Sequence, residues 1–152
     1  MAAGAFTFYD QTAHTLMSGD LDSATIKCAL VTSSYTPDQD AHDEWGDVSS
    51  NELSNGSGYT TGGETLGSVA LTEITKGYKV ASSNIQWTAS GGNIAAWRYA
   101  VFYVSGSYNG KTSPLIGYFL GDSTPADVPA TTSGNTLTLN CPAGGWFDVT
   151  RP

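Results

Sequence analysis

The alternation of apolar and polar positions is the first signal in this chain. Over residues 24–33, Ile26, Cys28 and Leu30 point one way, and Lys27, Ala29 and Val31 the other. That period of two predicts a strand with one firmly buried face. Further strands are predicted over 66–74, 78–81, 84–88, 94–104, 114–121, 135–141 and 146–150. Turn chemistry separates them, at Lys76-Gly77, Ser90-Gly91-Gly92, Ser105-Gly106 with Asn109-Gly110, and Ser133-Gly134-Asn135. The run from Ile94 to Val104 is apolar on both faces except at Arg98, which predicts the central strand of a sheet. Only residues 6–19 show helical spacing: Phe6, Tyr9, Leu16 and Met17 recur, and Gly19 stands as a stop. Many short strands and one short helix predict a mainly β chain, an antiparallel β-sandwich of jelly-roll or immunoglobulin-like type or a closed barrel. The sandwich is the expectation carried forward, as one domain over 1–152 with no internal repeat and no linker.

Residues 35–63 break the rhythm. Tyr35-Thr36-Pro37 ends a strand, since proline lacks the donor that a central strand needs. Asp38, Asp40, Asp43, Glu44 and Asp47 follow, then Asn51-Glu52 and the glycine-rich stretch Asn55 to Gly63. A structureless segment of this length inside a compact domain is expected to be functional or to be ordered by a partner.

Composition sharpens the picture. Of 152 residues only 13% are charged, about half the ~25% of an ordinary soluble domain. Acids outnumber Lys and Arg 14 to 6, for a net charge of −8. Five of those acids lie between Asp38 and Asp47, so the charge marks one segment rather than the whole surface. Scattered cations argue against a nucleic-acid partner, and no apolar run long enough to span a bilayer appears. The N-terminus shows no basic region and no long apolar core of a secretory signal. Cys28 and Cys141 read as free thiols or as one disulfide between the first and last strands; spacing leaves both open.

Candidate chemistry is sparse. His14 and His42 lack a nucleophile in a recognisable setting, and neither a G-x-S-x-G elbow nor an H-E-x-x-H pair is present. Asp20-x-Asp22 and Asp38-x-Asp40-x-x-Asp43-Glu44 offer hard oxygen ligands for calcium, but the EF-hand spacing fails. No catalytic, cofactor-binding or metal-binding set is assigned, and the chain is expected not to be an enzyme. Trp87 and Trp97 are expected in the core. Trp45, Trp87, Trp97 and Trp146, with Tyr35, Tyr59, Tyr99 and Tyr108, are also weighed as an aromatic platform for a glycan or a protein. The candidate partner interface is Tyr35, Asp38, Asp40, Asp43, Glu44, Trp45 and Tyr59, with Trp45 and Tyr59 standing exposed until a partner covers them.

A family pattern runs through these same residues. It starts at Leu16-x-x-Gly19-Asp20-Leu21-Asp22 and Ile26-Lys27-x-Ala29-Leu30-Val31-Thr32-Ser33-Ser34-Tyr35-Thr36-Pro37. It continues through His42-x-x-Trp45, Asn51-Glu52, Gly58-Tyr59-Thr60-x-Gly62-Gly63, Ile85-Gln86-Trp87, Ala95 to Tyr103 and Pro114-Leu115-Ile116. In this order the pieces resemble a family of small tailed-bacteriophage virion structural proteins. The likeness runs to residue 121; the stretch from Cys141-Pro142 to Arg151-Pro152 departs from it. The resemblance implies a non-enzymatic particle protein that binds the major capsid protein or other virion proteins. A capsid decoration or cement protein is the first reading, as a homo-oligomer with a trimer favoured, and with no membrane or nucleic-acid partner. A tail, connector or fibre-associated protein is the second, and a carbohydrate-binding or adhesin module the third.

Overall fold

The computed structural model describes residues 2–10, 12, 21 and 23–152. Its regular structure is almost entirely strand, and every strand pairing is antiparallel. In chain order the strands are β1 Thr7–Phe8, β2 Ile26–Val31, β3 Glu64–Thr65, β4 Ala70–Ile74, β5 Gly77–Ala81 and β6 Ile85–Thr88. They continue with β7 Tyr99–Val104, β8 Ser107–Tyr108, β9 Lys111–Thr112, β10 Leu115–Leu120, β11 Thr136–Leu139 and β12 Phe147–Thr150. A five-stranded sheet runs β1-β10-β7-β2-β3, and a three-stranded sheet runs β12-β5-β4. Two further pairs are β6 with β11 and β8 with β9. The sheets are open, which sets aside the barrel.

The five-stranded sheet is apolar on both faces because both are covered. On its front, Ile26, Cys28 and Leu30 of β2 and Ala100, Phe102 and Val104 of β7 pack with Val80, Ile85, Trp87, Leu139 and Phe147 from the smaller sheets. On its back, Ala29, Val31, Val101, Tyr103 and Leu115 pack with Tyr9, Tyr35 and Val48. Each large apolar side chain removed from water contributes about 1.5–3 kcal/mol, so both clusters matter to the fold. β7 lies at the centre, as its two-faced pattern requires, and Arg98 falls just before it, tied to Asp127 at 2.8 Å.

Several expectations need correction. The predicted helix over 6–19 begins instead as a strand: Thr7 and Phe8 pair with Tyr118 and Gly117 of β10. A bulge after Leu115 sets this up, because it frees the carbonyl of Ile116 for Tyr9 N–H and the Thr12 hydroxyl. Residues 13–20, with His14, lie outside the described residues. The strand predicted over 94–104 starts at Tyr99; Ile94 and Trp97 make isolated bridges to Thr131 and Val128. Asn109-Gly110, read only as a break, is the two-residue turn of the β8–β9 hairpin, with both residues at positive φ. Cys28 is buried and Cys141 partly buried, and both are free thiols. Among the described residues no helix is long and apolar enough to cross a membrane.

Candidate interaction surface

Residues 35–63 are not a loop awaiting a partner. Two 3-10 turns, Trp45–Asp47 and Ser49–Asn51, and two backbone bridges fix the segment to the sheet. Glu52 bridges to Val31 of β2, and Glu44 to Pro114 ahead of β10. Leu53 N–H donates to Leu30 C=O at 3.0 Å, and Thr32 N–H to Asn51 C=O at 2.9 Å. The first part of the segment covers the back of the five-stranded sheet through Tyr35, Trp45 and Val48, Leu53 and Tyr59 pack in the front cluster, and its rings serve the chain's own core. Tyr35 is 3% exposed and Tyr59 2%. Trp45 is partly buried, its ring stacked on Tyr103 at 4.6 Å and 6°. The expectation that Trp45 and Tyr59 stand exposed is therefore corrected: this chain supplies their cover.

Glu52 organises the glycine-rich half; the sequence pattern places it within Asn51-Glu52 but not among the candidate interface residues. Its carboxylate accepts the Tyr59 hydroxyl at 2.7 Å and the Gly62 N–H at 2.6 Å. The Tyr59 oxygen in turn accepts the buried N–H of Leu30 on β2 at 3.0 Å, standing in for a missing strand partner. Tyr103 O–H donates to Gly62 C=O at 2.7 Å. Gly63 packs so tightly on β2 that a Cβ there would lie 2.0 Å from Cys28 O, and its φ is +70°. Burial pushes the Tyr59 phenol above its ordinary value, with Glu52 adding to the effect. Burial likewise raises the Glu52 carboxyl, against the hydrogen bonds from Tyr59 and Gly62 and the nearby Lys27 charge. The family-like pieces Asn51-Glu52 and Gly58 to Gly63 thus form one buried polar lock. The only sequence signal for it is that such groups, if buried, require partners.

The acidic half divides by role. Asp47 accepts the N–H groups of Asp43 and Glu44, each at 3.0 Å, and so closes its own turn. Glu44 accepts the Thr112 N–H at 2.8 Å, and Asp43 meets Lys111 at 3.2 Å. Both sides of that ion pair are well exposed, so it adds little stability. Asp38 accepts the N–H groups of Asp40 and Ala41 with one oxygen. His42 joins the back-face network: its Nδ1 accepts the Asp38 N–H at 3.2 Å and lies 2.9 Å from the Tyr35 hydroxyl. Tyr35 in turn meets the Tyr9 hydroxyl at 2.7 Å. Burial pushes the Tyr35 phenol up to about 12.

Among the described residues the Asp40 side chain, unlike those of the other four acids, meets neither a backbone N–H nor a cation. It lies fully exposed beside Asp10, whose side chain hydrogen-bonds it and raises its carboxyl above the usual range; Asp38 adds a like charge. Asp10 was not paired with Asp40 in the sequence because it fell inside the predicted helix. The exposed carboxylates of Asp10, Asp38 and Asp40 thus share one surface, where Asp10 N–H donates to Gln39 C=O at 3.0 Å. Among the described residues no group of three or more His, Cys, Asp or Glu is arranged to hold a metal. The aromatic platform is not assembled at the surface: Trp87, Trp97 and Trp146 are 1%, 2% and 7% exposed. No protein-family model, curated protein or solved structure matches the chain.

Proposed function

We propose that this chain is a non-enzymatic structural protein of a tailed-phage virion, a decoration protein that binds the outer capsid lattice. In this reading its layers form an antiparallel β-sandwich that presents residues 35–63 to neighbouring proteins. The observation that carries it is the acidic segment, folded against its own sheet and presenting the exposed Asp38 and Asp40 carboxylates with Asp10 beside them. A preorganised charged surface loses little conformational freedom on docking and selects a basic counterpart. Binding only the mature lattice would stabilise that lattice by mass action. The resemblance in the segments around Tyr35, Trp45 and Tyr59 supports the same class.

The test is to add the purified chain to undecorated capsids and count bound copies by quantitative mass spectrometry. Saturation at hundreds of copies, with a higher capsid melting temperature, is expected for a lattice-wide protein. Saturation at a single ring of copies would move the chain to the tail or connector. No particle binding, with selective binding on a glycan array, would replace the reading by a carbohydrate module.

A further inference from the structure

The three-stranded sheet β12-β5-β4 reaches beyond the core. Opposed residues in its register share a face, and so do rows two residues apart. One row is Leu71, Val80 and Phe147; the next row on the same face is Glu73, Tyr78 and Val149. At the first row this face is packed: Val80 and Phe147 are buried, and Phe147 meets Phe6 at 5.2 Å and Phe8 at 5.4 Å. At the second row it is bare: Tyr78 is 53% exposed and Val149 49%. With Leu71 they are the exposed large apolar residues of the described chain. A cavity of about 340 Å³ between Phe6, Phe8 and Phe147 opens at the root of this face.

The cations point the same way. Of six in the chain, Arg98 is paired with Asp127, Lys111 with Asp43, and Lys27 lies near Glu52. Lys79 donates to Ala143 C=O at 2.7 Å. Lys76 and Arg151 remain without a side-chain partner among the described residues. They sit together at the tip of the projecting sheet, where Arg151 N–H donates to Lys76 C=O at 3.0 Å. An exposed tyrosine beside a tip that carries two unpaired cations is the composition of an interface anchor; the exposed Glu73 in the same row is the one acid on that face. The complement is on the same molecule but across the five-stranded sheet: Asp10 N–H donates to Gln39 C=O at 3.0 Å, within the stretch whose Tyr35 and Val48 pack on the back, whereas Val80 and Phe147 of the projecting sheet pack on the front.

We propose that this projecting sheet docks a second copy of the chain head to tail. The bare Tyr78–Val149 face and Lys76–Arg151 tip of one copy take the Asp10, Asp38 and Asp40 carboxylates of the next. The inference rests on reading the acidic segment as a protein-contact surface, and names what meets it. The two surfaces differ, so the contact is heterologous and closes into a ring or extends.

Sedimentation of the full chain at about 100 µM in low salt tests this. Association is expected, and it should weaken as ionic strength rises and screens the charges. K76E/R151E and D10K/D40K should each weaken it at least about tenfold, because like charges then face each other. An equimolar mixture of the two variants should associate again, since each carries the complement of the other. Y78A should weaken association without changing its salt dependence. A monomeric wild type, association indifferent to either charge reversal, or a mixture of folded variants that stays monomeric would overturn the proposal. Capsid binding by the same preparations separates the two claims. A monomer that still coats capsids removes this docking mode alone; a chain that associates but coats no particle removes the functional reading alone.

Discussion

Tyr59→Phe deletes one oxygen and with it two hydrogen bonds, one to the Leu30 N–H and one to Glu52. Leu30 is fully buried, so its N–H finds no water in exchange. The expected cost is about 1–3 kcal/mol, read as a lower urea midpoint with an unchanged slope. Glu52 adds a pH dependence. Burial raises its folded carboxyl above the unfolded value, so the folded chain holds that proton more firmly. Its contribution is full below the unfolded value and is lost as pH rises through the raised one. Glu52→Gln keeps an oxygen for Tyr59 and Gly62 and should flatten the decline in stability that sets in as pH rises above the ordinary carboxylate range. A variant with the wild-type slope would assign that slope elsewhere. At the surface, Asp10→Asn should bring the Asp40 carboxyl down toward its ordinary value in a carboxyl-carbon NMR titration, because the neighbouring charge is gone. Neither Glu52 nor Asp10 is among the candidate interface residues read from the sequence. Nothing local distinguishes a buried carboxylate from an exposed one, and the partner of each lies on another element.

The elements were legible wherever period and burial agree. β2, β4, β6, β7, β10, β11 and β12 fall inside predicted strands, and β7 takes the central place that two apolar faces demand. The misses share a cause: local pattern was overridden by a distant partner. Thr7–Phe8 is a strand because β10 offers an edge, although its spacing suits a helix. Residues 35–63 lack any period because 3-10 turns and single bridges have none, yet packing on both faces of the sheet fixes them. Sparse apolar residues suggested a segment waiting for a partner, but Tyr35, Val48, Leu53 and Tyr59 suffice as anchors against the chain's own sheet. The amides of Leu53 and Thr32 should accordingly exchange slowly in the isolated chain, and cleavage within 35–63 should be no faster than in exposed turns such as 132–135. Fast exchange at both amides would return the segment to the partner-dependent state. Gly63→Ala is the sharper perturbation, since φ of +70° and the approach of Cys28 O both oppose a side chain. A loss above about 2 kcal/mol is expected by thermal or urea unfolding.

For the whole molecule, the low charge content proves to be an uneven distribution. Asp43, Glu44, Asp47 and Glu52 hold turns and backbone, and four cations are engaged within the chain. Among the described residues the carboxylates of Asp10, Asp38 and Asp40 stand apart from the Lys76–Arg151 tip, while Glu64, Glu73 and Asp148 also lack an opposite charge as partner. Such a separation suits a protein that works by assembling. The most direct measurement is the position and copy number of this chain in an intact particle imaged by electron cryomicroscopy. The account predicts copies spread over the outer capsid lattice, with the surface of Asp10, Asp38 and Asp40 covered by a neighbouring protein. Copies confined to the tail, or a lattice-bound chain with that surface facing solvent, would contradict it.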